Sequence, residues 1–200
     1  MRFFKQIAYA WRPHGEPTSN MALKATIYKA TLNIADMDQH YYAEHALTLA
    51  RHPSETEERV LVRLLTFARF AEQAPEFTKD LFETDEPALW SKDLTGHITL
   101  WIELGQPDEN KLRKACNRVD QVVVVSYASS TPIWWQGMES KVARMDNLTV
   151  LQLPEDALTQ LSAQMSRGVD MQVNVQDGEW SVSLTDAPVD FGWTVLKAAQ

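Results

Sequence analysis

A single cysteine, Cys116, in 200 residues rules out a disulfide within one chain and any zinc site that needs two or more cysteines. That economy fits a reducing compartment, so a cytoplasmic location is expected. Glycine and proline are sparse, 7 and 9 residues, which excludes collagen-like and low-complexity classes. No stretch approaches the roughly 18 consecutive apolar residues of a membrane span, so no membrane role is expected. The N-terminus carries Arg2 and the A-x-A triplet of Ala8 to Ala10 found in signal peptides, but Lys5 and Gln6 interrupt the apolar core such a peptide needs. Dinucleotide-binding, P-loop, nucleophile-elbow and H-E-x-x-H signatures are all absent. Basic residues are outnumbered 19 to 27, and a net charge of -8 argues against non-specific coating of nucleic acid while leaving room for a local basic cleft.

What is present reads as one globular domain, with 44% hydrophobic and 23% charged residues. Residues 1–20, polar from Trp11 onward and broken by Pro13, Gly15 and Pro17, are expected to form a flexible extension ahead of a domain spanning 21–200. Leu23 to Ile34 alternates apolar and polar side chains, the period of a half-buried strand. Asp38 is placed to cap a helix over Gln39 to Ala50, on which His40 and His45 point about 140° apart and do not share a metal. Ser54-x-x-Glu57 reads as a capping box for a second helix, whose stripe is Leu61, Leu64, Leu65, Ala68 and Ala71. Phe77 to Phe82, Leu89 to Lys92 and Ile98 to Leu104, with a turn at Thr95-Gly96, read as an antiparallel set. A helix from Pro107 to about Arg118 leads into Gln121 to Ser126, an apolar run of the kind buried on both faces of a parallel sheet. Helices over Pro132 to Lys141 and Glu155 to Met165 flank a strand at Leu148 to Leu153, and Asp177-Gly178 marks a hairpin between Met171 to Val175 and Trp180 to Leu184. The alternation of elements is that of an α/β fold.

Three carboxylates stand out. Glu103 shares a strand face with Trp101 and Thr99 inside an apolar run, and a buried carboxylate demands a cation, a metal or hydrogen-bond donors. Glu58 borders the apolar stripe of its helix with no capping duty. Asp93 precedes the turn at Thr95-Gly96, where an aspartate commonly serves turn geometry. Trp134-Trp135, beside Pro132, is a candidate contact patch for a protein partner.

At MALKATIYKA, ARHPSETEER, KDLTG and LWIELGQPDENKLRKA the chain resembles the YaeQ family of small bacterial proteins, from Met21 to about Leu184. The resemblance implies a variant PD-(D/E)XK nuclease fold, a central mixed β-sheet flanked by helices. It also implies a Mg²⁺ site with Glu58 as the helix acid and Asp93 and Glu103 as the strand acids, plus a lysine that positions water. Two positions depart from that pattern: Lys92 precedes Asp93 in place of proline, and Gly105 stands where the lysine belongs. Lys111, Lys114 and the amide of Gln106 are the candidates for the missing group. A turn centred on Gly96 and His97 would set Glu103 opposite Trp90, roughly 10 Å from Asp93, so a bulge or substitution by Asp85 or Glu86 would be needed for one compact site. The resemblance therefore implies either a Mg²⁺-dependent nuclease or phosphodiesterase, or a catalytically inactive nuclease fold that binds a protein or nucleic-acid partner.

Overall fold

A computed structural model describes residues 25–78 and 86–200. The expected N-terminal extension, the distal part of the Phe77 to Phe82 strand and Asp85 lie outside the described residues. In chain order the elements are β1 (Thr26–Asp36), β2 (Tyr41–Arg51), α1 (Glu57–Arg69), β3 (Glu76–Phe77), β4 (Leu89–Lys92), β5 (Ile98–Leu104), α2 (Glu109–Cys116), β6 (Gln121–Ser126), α3 (Thr131–Val142), β7 (Leu148–Gln152), α4 (Glu155–Ser162), β8 (Gly168–Gln176), β9 (Glu179–Ser183), β10 (Val189–Gly192) and β11 (Thr194–Lys197). Among the described residues no helix is long and apolar enough to cross a membrane.

Two mixed sheets replace the single central sheet that the resemblance implies. One has the order β10-β9-β8-β1-β2 and the other β11-β7-β6-β5-β4-β3. Between them lies α1, whose residues Val60 to Ala68 are all buried, the mark of a helix with no solvent face. Its side chains join one core with Ala30, Leu32 and Ile34 of β1 and with Leu100, Ile102 and Leu104 of β5, and α4 adds Ala157, Leu158 and Leu161. The opposite face of β5 and β6 presents Trp101, Val122 and Val124 to a second core built by Leu112 and Ala115 of α2 and Met138 and Val142 of α3. The chain therefore stacks sheet, helices, sheet, helices. The run Val122 to Val125 is buried on both faces, as its continuous apolar character requires.

The helix expected over Gln39 to Ala50 is a strand. β2 pairs antiparallel with β1 in unbroken register from Tyr41↔Asp36 to Arg51↔Thr26. Asp38 does cap a segment, though a distant one: its carboxylate accepts the backbone N–H groups of Asp177 and Gly178, both at 2.8 Å. Those two residues, at φ 54° and 81°, form the turn of the β8–β9 hairpin, where paired positive φ values favour an Asp-Gly step. The capping box also shifts. Thr56 is the N-cap of α1, its hydroxyl accepting Arg59 N–H at 3.1 Å, while Ser54 Oγ bonds His52 Nδ1 at 2.8 Å. Glu57 instead accepts the Tyr28 hydroxyl at 2.6 Å, tying the start of α1 to β1. α2 begins after Asp108, which caps it through Lys111 N–H at 2.8 Å, so Pro107 lies just outside the helix. β10 and β11, beyond the reach of the sequence reading, close the two sheets, β10 on β9 and β11 antiparallel to β7.

Candidate functional site

β5, β6 and β7 run parallel, and the loops at their carboxyl ends bring together most of the chemistry that the sequence singles out. Glu103, the penultimate residue of β5, is buried on the face that meets α2. The Trp101 indole N–H donates to its Oε1 at 2.9 Å, and Lys111 Nζ donates to its Oε2 at 2.8 Å. Lys111 thus reaches back to the strand end from the first turns of α2, since Asp108 starts the helix with this side chain facing the sheet. A cation and a hydrogen-bond donor together answer the demand of a buried carboxylate.

The other acids lie apart. Glu58 is exposed in the first turn of α1, while its neighbour Arg59 donates to the Leu104 carbonyl at 3.3 Å and to the Tyr127 hydroxyl at 3.4 Å, pinning the helix start to the ends of β5 and β6. Asp93 is exposed, and its Oδ1 accepts Thr95 N–H at 2.8 Å, Thr95 Oγ–H at 2.7 Å and His97 N–H at 3.0 Å. The Thr95 hydroxyl bond, chiefly, holds that carboxyl below its ordinary range. The hairpin register differs from the simple arithmetic: Trp101, not Glu103, opposes Trp90, and a bulge follows Ser91. Gln106 is exposed and exchanges hydrogen bonds with the Ser130 hydroxyl at 2.9 and 3.2 Å, and Lys114 is exposed on α2. Glu86 is partly buried ahead of β4. Trp134 and Trp135 are half-buried against the second core, with the Trp134 indole donating to the Pro107 carbonyl, so Ile133, 77% exposed, is the apolar residue α3 offers to solvent.

The buried acid of the ARHPSETEER segment is Glu55, which sequence reasoning passes over. Its side chain is 1% exposed and lies 3.4 Å from Arg63 and 3.7 Å from Arg59. The signal is the four-residue spacing of Glu55, Arg59 and Arg63, with Arg63 set among the buried side chains of α1.

Magnesium demands a near-octahedral oxygen shell, usually with one or two carboxylates free to coordinate. Among the described residues no three His, Cys, Asp or Glu side chains converge to hold a metal, and both oxygens of Glu103 are engaged. Glu58, Asp93 and Glu103 therefore do not meet at one point. What adjoins Glu103 is a pocket of about 310 Å³, floored by Trp101 and flanked by Lys111, Lys114 and Arg118, with Asp108 as its one acid. The Arg118 guanidinium lies 5.9 Å from the centre of the Trp101 ring. Cys116 lies on another side of α2, where burial pushes its thiol up to about 11.

His97 Nε2–H donates to Asp120 Oδ1 at 2.9 Å, and that bond raises the imidazole above the ordinary 6.5. A raised folded value means that any stabilisation is complete below the ordinary value and is lost as pH rises through the folded one. An NMR titration is expected to give His97 a midpoint above 6.5 that drops in Asp120→Asn, and a midpoint indifferent to that substitution would contradict the pairing.

A family model described as YaeQ protein matches residues 21–192. An uncharacterised YaeQ protein of Salmonella typhi is 46% identical over 168 residues, 84% of this chain and 92% of the relative. That of Escherichia coli (strain K12) is 45% identical over 159 residues, 79% and 88% of the two chains. The crystal structure of the YaeQ protein from Xanthomonas axonopodis pv. citri superposes with a TM-score of 0.83 at 46% identity, over 88% of this chain and 99% of that one. The Pseudomonas syringae structure does so with a TM-score of 0.83 at 33% identity, over 87% and 97%.

Proposed function

This chain belongs to the YaeQ family, and from that premise we propose that it binds a nucleic-acid phosphate backbone along α2 without cleaving it. One observation carries the reading: the carboxylate expected at the centre of a nuclease site is already neutralised by Lys111, while Lys114 and Arg118 beside it line an open pocket. Each oxygen of that carboxylate already accepts one hydrogen bond, from the Lys111 ammonium and from the Trp101 indole. Cations over an aromatic floor suit phosphate oxygens, and they do so locally on a chain whose net charge is -8. Glu103 then acts as the anchor that fixes Lys111 and so the rim of the pocket. The alternative of a Mg²⁺-dependent phosphodiesterase draws on the same Glu103–Lys111 pair, with Lys111 in the place of the missing lysine.

The test is fluorescence anisotropy of a labelled duplex DNA and a hairpin RNA across a salt series, with and without Mg²⁺. Charge reversal at Lys114 and Arg118 together is expected to weaken binding roughly tenfold or more and to flatten the salt slope by about one per cation removed. Equal binding by the variant and the wild type would overturn the reading. Mg²⁺-dependent strand cleavage that disappears in Glu103→Gln would replace it with the phosphodiesterase.

A further inference from the structure

The two sheets have four edge strands, and three of them are short: β3 spans 2 residues, β10 spans 4, and β11 spans 4 with a register shift and Lys197. Short, bulged or lysine-bearing edges are the usual protection against pairing with another chain. The fourth edge, β2, has none of these devices. It is 11 residues long, contains neither proline nor lysine, and keeps an unbroken register with β1. Among the described residues no strand pairs with its outer side.

We propose that β2 is the interface of a homodimer, in which two copies pair their β2 strands antiparallel about a two-fold axis at Ala46. A two-fold axis perpendicular to the sheet keeps each face continuous, so solvent-face residues of one copy meet solvent-face residues of the other. On that face lie Tyr42, Glu44, Ala46, Thr48 and Ala50, all exposed. Centring on Ala46 sets Tyr42 opposite Ala50 of the second copy and Glu44 opposite Thr48, with the smallest side chain at the axis. No like charges then face each other, and each Glu44 carboxylate meets a hydroxyl donor.

The same register accounts for two exposed hydrophobic residues at once. Tyr42 is 63% exposed and Ile27 is 51% exposed, and Ile27 is the β1 neighbour of Ala50. A tyrosine lying across Ala50 of the second copy reaches that copy's Ile27, so each apolar side chain covers the other twice around the axis. On the inner face, half-buried His45 comes opposite Leu47, and Ala43 opposite Leu49, extending the core that α1 already forms with His45 through Phe67.

Sedimentation velocity on the full-length chain at micromolar concentration is expected to show twice the 22.8 kDa chain mass. Ala46→Lys, which places two ammonium groups at the axis and leaves an exposed site exposed in each copy, is expected to give a folded monomer with an unchanged circular-dichroism spectrum. In a Cys116→Ser background, Ala46→Cys is expected to cross-link under mild oxidation, because paired antiparallel residues sit about 4.5–5.5 Å apart at Cα, inside disulfide range. A monomeric wild type overturns the proposal, whatever else covers the edge. So does a dimer that survives Ala46→Lys, or one in which the Ala46→Cys thiols fail to cross-link.

Discussion

Glu55→Ala is expected to destabilise the protein by about 3–5 kcal/mol, because it strands the Arg63 guanidinium inside the core. Arg63 is 2% exposed at its side chain, and burial pulls its guanidinium below the ordinary range while Glu55 opposes that shift. Without the carboxylate, the guanidinium retains the Ala50 carbonyl at 3.2 Å and the face of Phe77, 5.0 Å from the ring centre, neither of which carries a compensating charge. The pair itself is imperfectly satisfied, since Glu55 Oε1 and Arg63 Nε lack hydrogen-bond partners. The double variant Glu55→Leu with Arg63→Met is therefore expected to recover most of the loss, as buried ion pairs commonly yield to apolar replacements of similar volume. Urea denaturation checks both variants. A Glu55→Ala protein within about 1 kcal/mol of wild type would show that the network contributes little.

Leu64→Ala is expected to cost about 4 kcal/mol, and Leu112→Ala less, although both side chains are almost wholly buried. The cost of truncating a leucine depends on how far its surroundings collapse into the space left behind. Leu64 lies in a helix packed between two sheets, each held by its own hydrogen-bond ladder, so neither wall moves easily. Leu112 lies in an outer helix with solvent on its far side, and that helix can settle onto β5 and β6. Thermal or urea unfolding of both variants checks the order, and the reverse order would mean that the layer between the sheets is looser than its burial indicates.

Legibility followed the range of the interactions. Strands whose alternation reports one buried face, such as β1 and β8, can be read directly from sequence, and so can the run of β6 that is buried on both sides. β2 fails the reading because Ala43, Glu44, Ala46, Leu47 and Ala50 are strong helix formers. Its period of two is nonetheless present, with even-numbered residues from Tyr42 to Ala50 exposed. Pairing with β1 along its whole length outweighs the local preference, as tertiary context commonly does. At the candidate site, strand periodicity raises the question of a partner for Glu103, whereas helix periodicity leaves Lys111, Lys114 and Gln106 open and packing selects Lys111. The turn duty of Asp93 is local chemistry of its Asp-x-Thr sequence, with Oδ1 accepting the Thr95 hydroxyl and backbone N–H groups.

The α/β class, the order of most elements, the hairpin at Asp177-Gly178 and, through its long shared strings, the family are legible in the sequence. Those features depend on neighbours within a few residues or on periodic patterns that burial imposes along one segment. Long-range packing sets the two sheets with α1 enclosed between them, makes Asp38 the cap of a turn 139 residues away, and buries Glu55 rather than Glu58 at the approach to α1. It also decides that the three expected metal acids do not converge. Each of these rests on contacts between segments far apart in the chain, and a hydrophobic pattern records that a face is covered without recording what covers it.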